Sequence, residues 1–405
     1  MNALKLAASY VNKEELVHFT QQLIQIKSVY DAEVSGENEE KVAVFVADYL
    51  KEMGLEVHID EVVPGRPNVI AYLHGSSPGK TILLEGHTDV VTAGDPDEWT
   101  VEPFGGEIID NRIFGRGACD TKGNLAAAIF AVKAIKESGV DFSGKILLCI
   151  PVDEEDMMIG IKHFIRNGWA DDVDAAIICE PEENQLCITQ RGALRIGVKI
   201  TGKMAHGAIP EAGINPNWGM AQVIMELEKL QQSEMNRLGY HKYLGYPSIT
   251  PTILRAPVKG EAQINVIPKE CYTTLDIRTV PGQDHAMLTE NIRRILKKVE
   301  DDREGMKTFL DVIEERPWTN TSMDEPLVKA MSTAYEAITG KEARYNGVPG
   351  ATDGTFLNAW KDIPIVTTGA GDRLVPHQAD EYVEIEQLVE AAKIYAASVL
   401  MYLEA

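Results

Sequence analysis

Apolar positions along the chain change period more than once, and those changes define the expected architecture. Over Glu14–Val29 and Glu39–Met53 they fall at helical spacing, as in Val42, Phe45, Val46, Tyr49 and Leu50, and Gly54 supplies a stop. Short apolar runs follow at Asn68–Leu73, Thr81–Leu84, Ile146–Ile150 and Ala175–Cys179; their length and β-branched content predict buried strands. Lys122–Gly139 predicts a helix, buried around the apolar run Leu125–Val132, and Asp110-Asn111 between Ile109 and Ile113 predicts a hairpin tip. This alternation of helix and strand predicts α/β layering up to about residue 190.

After Arg191 the order becomes strand Arg195–Thr201, helix Asn215–Gln232, strands Thr252–Ala256 and Cys271–Thr279, helix His285–Lys298 and strand Thr308–Ile313. That βαββαβ order is the ferredoxin-like unit, two helices on one face of an antiparallel sheet. A helix at Leu327–Ile338, a strand at Ile363–Thr367 and a helix at Ile385–Tyr402 then resume the first pattern. The expectation is a discontinuous α/β domain over residues 1–190 and 315–405, interrupted by a ferredoxin-like domain over residues 191–314. No repeat or low-complexity tract appears.

Composition narrows the partners. The 405 residues hold 39 basic and 62 acidic side chains, a net charge of −23, which disfavours phosphate backbones and anionic membranes. The expected partner is a small molecule, with no nucleic acid and no membrane. The first 17 residues lack the apolar core and cleavage site of a secretory signal, and no window approaches a membrane span. Five widely spaced cysteines (Cys119, Cys149, Cys179, Cys187 and Cys271) without a C-x-x-C pair suggest neither a disulfide framework nor a thiolate zinc site. A cytoplasmic location is expected.

The chemistry gathers where the apolar strands end, the place where α/β sheets hold ligands. Glu85-Gly86-His87-Thr88-Asp89 follows one strand, Asp153-Glu154-Glu155 another and Glu180-Pro181 a third; Gly115 to Gly123 follows the hairpin, and Pro376-His377-Gln378 comes late. Each motif alone has an ordinary reading: a hydrogen-bonded histidine, or carboxylates at a helix start. Together they are histidines and carboxylates costly to bury unpaired, for which a shared polyvalent cation is the economical explanation. His-x-Asp has its own logic, since Asp89 can fix the tautomer of a ligating His87.

These motifs, GHTDVV, GRGACDTKG, DEE, CEP and PHQ in that order, resemble the dizinc amidohydrolases and exopeptidases that include acetylornithine deacetylase, succinyl-diaminopimelate desuccinylase and bacterial glutamate carboxypeptidase. The resemblance runs nearly end to end and covers the inserted domain. It implies two Zn2+ per subunit, with Co2+ or Mn2+ as substitutes, bridged by Asp120. His87 and Glu180 would complete one site and Glu155 and His377 the other, an all N/O set that suits zinc. Glu154 would be the general base for a water held between the metals, and Asp89 would support His87. The family's bridging aspartate precedes a cis peptide, which marks Asp120–Thr121. Thr121 stands where the family usually has Met.

The resemblance also implies that His206, in Gly202-Lys203-Met204-Ala205-His206-Gly207, stabilises the oxyanion in a partner subunit's site, within a homodimer formed through the inserted domain. Asn265 and Arg278 match segments that hold a substrate carboxylate. The alternative for Arg278 is an ion pair with Asp276 or another nearby acid. Gly350 and Thr352, in Gly350-Ala351-Thr352-Asp353-Gly354, match a loop lining the pocket; tight turns alone would also account for its glycines. The implied reaction is amide hydrolysis of an N-acyl amino acid or small peptide, in wording closest to the deacetylase and desuccinylase branch. Dipeptidase or carboxypeptidase activity, and hydrolysis of carbamoyl, formyl or aromatic amines, stay open, with a non-catalytic binding protein as the reading from another class.

Overall fold

The computed structural model describes residues 3–32 and 36–404. The chain divides into two compact units, one of residues up to Thr189 with Asn320–Val348 and Thr352 onwards, the other of Gln190–Thr319 with Pro349–Ala351.

The first unit is built on a mixed sheet whose centre is parallel. Ser77–Glu85 lies between Ser143–Ile150 and Ala175–Cys179, and Ile365–Thr368 pairs in parallel with Ala175–Cys179. The three inner strands carry unbroken apolar runs, Ile82–Leu84, Ile146–Ile150 and Ala175–Cys179, because both faces are covered. Antiparallel strands Arg66–His74 and Glu56–Val63 extend one side, and Leu186–Gln190 the other. Glu56–Val63 escapes a search for apolar runs because it alternates charged and apolar residues at the sheet edge and is never buried.

Helix Lys122–Ser138 is buried over almost its whole length, and Gly139 ends it in the left-handed conformation that glycine adopts freely. The terminal helix Ile385–Glu404 is buried through its apolar run, as its sequence predicts. The helix expected over Glu14–Val29 stops at Gln25, where Ile26 turns extended. Helix Ile159–Arg166, too short to read as periodic, packs Ile161, Phe164 and Ile165 into a core with Leu83, Leu147 and Ile178. A small sheet pairs Arg112–Phe114 with Glu107–Ile109 and with Tyr382–Glu384; its hairpin tip holds Asp110 and Asn111 at φ 49° and 62°.

The second unit has the order Gly192–Thr201, Pro216–Leu238, Ser248–Arg255, Glu270–Thr279, His285–Asp302 and Lys307–Arg316 as strand, helix, strand, strand, helix, strand. Its sheet runs Ser248–Arg255, Glu270–Thr279, Gly192–Thr201, Lys307–Arg316, every neighbour antiparallel. Burial alternates residue by residue along Glu270–Thr279, so one face carries Cys271, Leu275 and Ile277 onto Met220, Val223, Ile292 and Leu296 of the two helices. Helix starts are capped by Asn215, which accepts from Asn217 N–H, and by Asp284, which accepts from Met287 N–H. Helix Pro216–Leu238 outruns the expected Asn215–Gln232 by more than a turn, ending where Gly239 adopts a positive φ.

Candidate metal and catalytic site

Three parallel strands of the first unit deliver their carboxyl-end residues to one place. Ser77–Glu85 leads to His87 and Asp89, Ser143–Ile150 to Asp153, Glu154 and Glu155, and Ala175–Cys179 to Glu180. Asp120 comes from the turn before helix Lys122–Ser138, and the Asp120–Thr121 peptide is cis. The Thr121 hydroxyl donates to the Cys179 carbonyl at 2.6 Å, tying that turn to the strand that carries Glu180.

The fully buried His87 ring donates Nδ1–H to the carbonyl of Asp89 at 3.0 Å, which turns Nε2 toward the carboxylates. That Nε2 lies 3.2 Å from Asp120 Oδ1, 3.6 Å from Glu180 and 3.9 Å from Glu154. His377 Nε2 is 3.4 Å from the other oxygen of Asp120 and 3.1 Å from Glu155. Asp120 therefore stands between two histidines, one oxygen toward each. Donor atoms of His87, Asp120 and Glu155, and of His87, Glu154 and Glu180, fall within 4.8 Å of one another. Asp89 plays a wider part than tautomer control: its carboxylate accepts N–H of Glu154 at 3.1 Å and of Glu155 at 3.0 Å.

Glu381 is absent from the sequence reading and central to the geometry. One of its oxygens accepts the backbone N–H groups of Gly117, Cys119 and Asp120 at 2.9–3.1 Å; the other pairs with Arg116. The pairing of Tyr382 with Phe114 puts Glu381 beside this turn. Its only local signal is an acid four residues beyond His377, immediately before the short strand Tyr382–Glu384.

The electrostatics of this cluster fit a cation. Burial, and then the charge of Asp120, push Glu155 up to about 7 and Glu180 well above the carboxylate range. Burial opposes ionisation of Asp120 too, but bonds from His377 and His87 outweigh it and hold its carboxyl below the usual range. Bonds to Asp120 and Glu155 raise His377 to about 10. Behind them Glu85 and Asp353 are buried with neither carboxylate oxygen hydrogen-bonded; burial is the main cause raising Glu85 to about 8 and Asp353 well above its ordinary value. Two imidazoles among this many acids leave excess negative charge, and the donors are oxygen and imidazole nitrogen, the chemistry that suits a divalent metal. Cys119 and Cys179 are buried free thiols raised well above their ordinary pKa, burial being the main cause; they serve as small apolar side chains beside the donors.

In the second unit His206 is exposed and its Nδ1 accepts Ala208 N–H at 3.0 Å, which leaves Nε2 as the protonated, outward nitrogen. Asn265 is exposed, its backbone carbonyl accepting Gly207 N–H at 2.7 Å. Arg278 is not free: Nε and Nη2 donate to Asp276 at 2.6 and 3.1 Å, the ion pair named as its alternative. Gly350 has a φ outside the left-handed region and open space where a Cβ would sit, so neither turn geometry nor crowding demands glycine there. Thr352 is buried in the first unit, its carbonyl accepting Thr355 N–H.

The sequence profile of peptidase family M20/M25/M40 matches residues 83–401. The chain is similar to a probable succinyl-diaminopimelate desuccinylase of Staphylococcus epidermidis, 23% identical over 97% of this chain and 99% of the relative. It is similar to N-formyl-4-amino-5-aminomethyl-2-methylpyrimidine deformylase of Bacillus subtilis, 27% identical over 95% and 93%. Among solved structures, the di-peptidase Dug1p of Saccharomyces cerevisiae superposes with a TM-score of 0.77 at 20% identity over the full length of both chains, a likeness of fold.

Proposed function

Since this chain belongs to peptidase family M20/M25/M40 and is a metal-dependent hydrolase of C–N bonds, we propose that its substrate is an N-acyl amino acid or small peptide bearing a carboxylate, most like that of a deacetylase or desuccinylase. The observation that carries the reading is Asp120, placed with one carboxylate oxygen toward His87 and the other toward His377.

His87, Asp120 and Glu180 would hold one metal and His377, Asp120 and Glu155 the second, with zinc the best match and cobalt or manganese able to use the same donors. Bound divalent ions supply Lewis-acid polarisation of the scissile carbonyl and acidify the attacking water. Glu154, buried and outside both proposed triads, takes the proton from that water and returns it to the leaving amine. Asp89 holds the Glu154–Glu155 backbone and His87 together, and Glu381 holds the turn that presents Asp120. His206 offers Nε2–H to the developing oxyanion of a neighbouring subunit's site. Asn265 and Arg278 take the substrate carboxylate, Arg278 through the Nη1 that Asp276 leaves open, while Gly350 and Thr352 line the pocket.

The role of His206 calls for a homodimer through the second unit, and the exposed edge of that unit supports one. Ser248–Arg255 is an edge strand with six exposed residues at its end. A groove of about 520 Å³ beside it is lined by Met220, Ile224, Met225, Leu254 and Cys271. An apolar edge of this kind is usually covered. Among the described residues no helix is long and apolar enough to cross a membrane.

The test is amine release from N-acetyl, N-succinyl, N-formyl and N-carbamoyl amino acids and dipeptides, with zinc-loaded protein and a chelated control. One substrate at least about 100-fold above the rest, silenced by chelation, establishes the reaction and acyl preference together; a pocket contact that binds one acyl end and rejects its analogue supplies that much. A dipeptide in first place moves the assignment to dipeptidase. Silence across the panel with metal bound overturns the amide reading.

A further inference from the structure

The turn carrying Glu154 and Glu155 is held by two residues that match no motif, Arg66 and Glu39. Asp153, the residue before them, has φ +69°, the left-handed region that side chains with a Cβ avoid. Its carboxylate is gripped there. Oδ1 accepts Arg66 Nη2 at 2.6 Å, while Oδ2 accepts N–H of Met157 at 3.1 Å.

Arg66 is itself fixed in orientation. Nε and Nη2 form a two-pronged pair with Glu39 at 2.8 and 2.5 Å, and the Tyr30 ring covers the guanidinium at 3.5 Å. Arg66, Glu39 and Asp153 are each at most 5% exposed. Two residues along the strand from Arg66, Asn68 accepts Val152 N–H at 3.2 Å and donates to the Gly160 carbonyl at 2.9 Å. A Cβ on Gly160 would meet Val152 O at 2.3 Å and Asn68 Oδ1 at 2.8 Å, so the two ends of the loop close on each other and on Asn68. Asp89 accepts the N–H groups of Glu154 and Glu155. The peptide planes on either side of Asp153 thus have one orientation, and it is the one that sends Glu154 toward His87 and Glu155 toward His377.

We propose that Arg66, locked by Glu39, is a positioning residue that holds Asp153 in its left-handed conformation and so aims the general base and one metal ligand. The inference rests on the roles proposed above for Glu154 and Glu155. A guanidinium suits this position because its planar fork joins two carboxylates in fixed geometry, which an ammonium cannot do.

Arg66→Ala would strand two buried carboxylates, so the informative variants are Arg66→Lys, which keeps the charge and loses the fork, and Asp153→Gly, which tolerates the conformation and loses the anchor. Each is assayed for zinc affinity by chelator competition, and for kcat and KM on the best panel substrate, beside wild type and Glu154→Gln. Expected are a drop in kcat of about 10–100-fold with KM within about threefold, and a similar loss of affinity at one of the two zinc sites only, the range seen when a support behind a metal ligand is removed. Asp153→Asn, which keeps an acceptor toward Arg66 and tolerates the conformation, is expected to recover most of the loss. Wild-type kcat and two wild-type zinc affinities in both Arg66→Lys and Asp153→Gly, with Glu154→Gln inactive, overturn the positioning role and leave the proposed reaction standing. An inactive wild type overturns the reaction, and the zinc affinities still decide on Arg66.

Discussion

Replacing Glu381 with glutamine tests how far the geometry at Asp120 depends on one buried charge. The amide keeps the shape of the carboxylate, and its oxygen can still accept N–H from Gly117, Cys119 and Asp120. What is lost is the partner of Arg116, which is 2% exposed against a fully buried Glu381; the new NH2 faces the guanidinium donor to donor. Removing one member of a buried pair costs about 3–5 kcal/mol. Arg116 keeps bonds to the carbonyls of Thr92 at 3.2 Å and Gln378 at 3.3 Å, which places the expected loss near the lower end, about 3 kcal/mol. With a urea slope of about 3 kcal/mol per molar, the unfolding midpoint of the first unit should fall by about 1 M. Glu381→Ala would also orphan three backbone N–H groups at about 1–3 kcal/mol each, enough to endanger folding. Hydrogen exchange at the amides of Gly117, Cys119 and Asp120 should quicken in the glutamine variant before global unfolding is reached. Zinc affinity should weaken about 10–100-fold. An unchanged midpoint together with wild-type exchange at those three amides would refute the claim that this charge holds the turn.

Glu154→Gln should retain both metals while kcat drops by about two to four orders of magnitude, as measured by metal analysis beside steady-state rates; unaltered turnover removes it as general base. His206→Ala should lose activity yet remain dimeric by light scattering, and mixing it with Glu154→Gln should restore activity in hybrid dimers only if sites are shared between subunits. Metal-free protein should lose thermal stability as pH rises from about 5 to 8. Glu85 at about 8 and Glu155 at about 7 retain protons in the folded state that the unfolded chain releases near 4.5, and His377 at about 10 retains one released near 6.5. All three contribute stability at low pH that disappears as pH climbs through those values. Zinc, which needs the deprotonated donors, should stabilise more at pH 8 than at pH 6, and a calorimetric shift of the opposite sign would count against the ligand assignment.

What could be read from the sequence was whatever a short stretch determines by itself. Within helix Lys122–Ser138 the run Leu125–Val132 is apolar around its whole circumference, so burial follows without knowing its neighbours, and Gly139 marks the helix end. Ala175–Cys179 has no polar residue to turn toward water, and Glu180 must sit where the run stops. Glu381 and Arg66 obey a different rule. Glu381 acts on Gly117, 264 residues earlier, and Arg66 on Asp153, 87 residues later, through strand pairings that no local period encodes. Arg278 shows the same limit from the other direction: the partner it finds, Asp276, was visible two residues away, whereas a substrate carboxylate leaves no mark on the chain. The two groups carry different kinds of constraint. Histidines and acids that converge on a metal must stand at element ends, where period breaks are easy to see. The residues that fix those ends are chosen by burial and charge balance in the assembled fold, so each shows itself only as a buried ion whose partner is found in space.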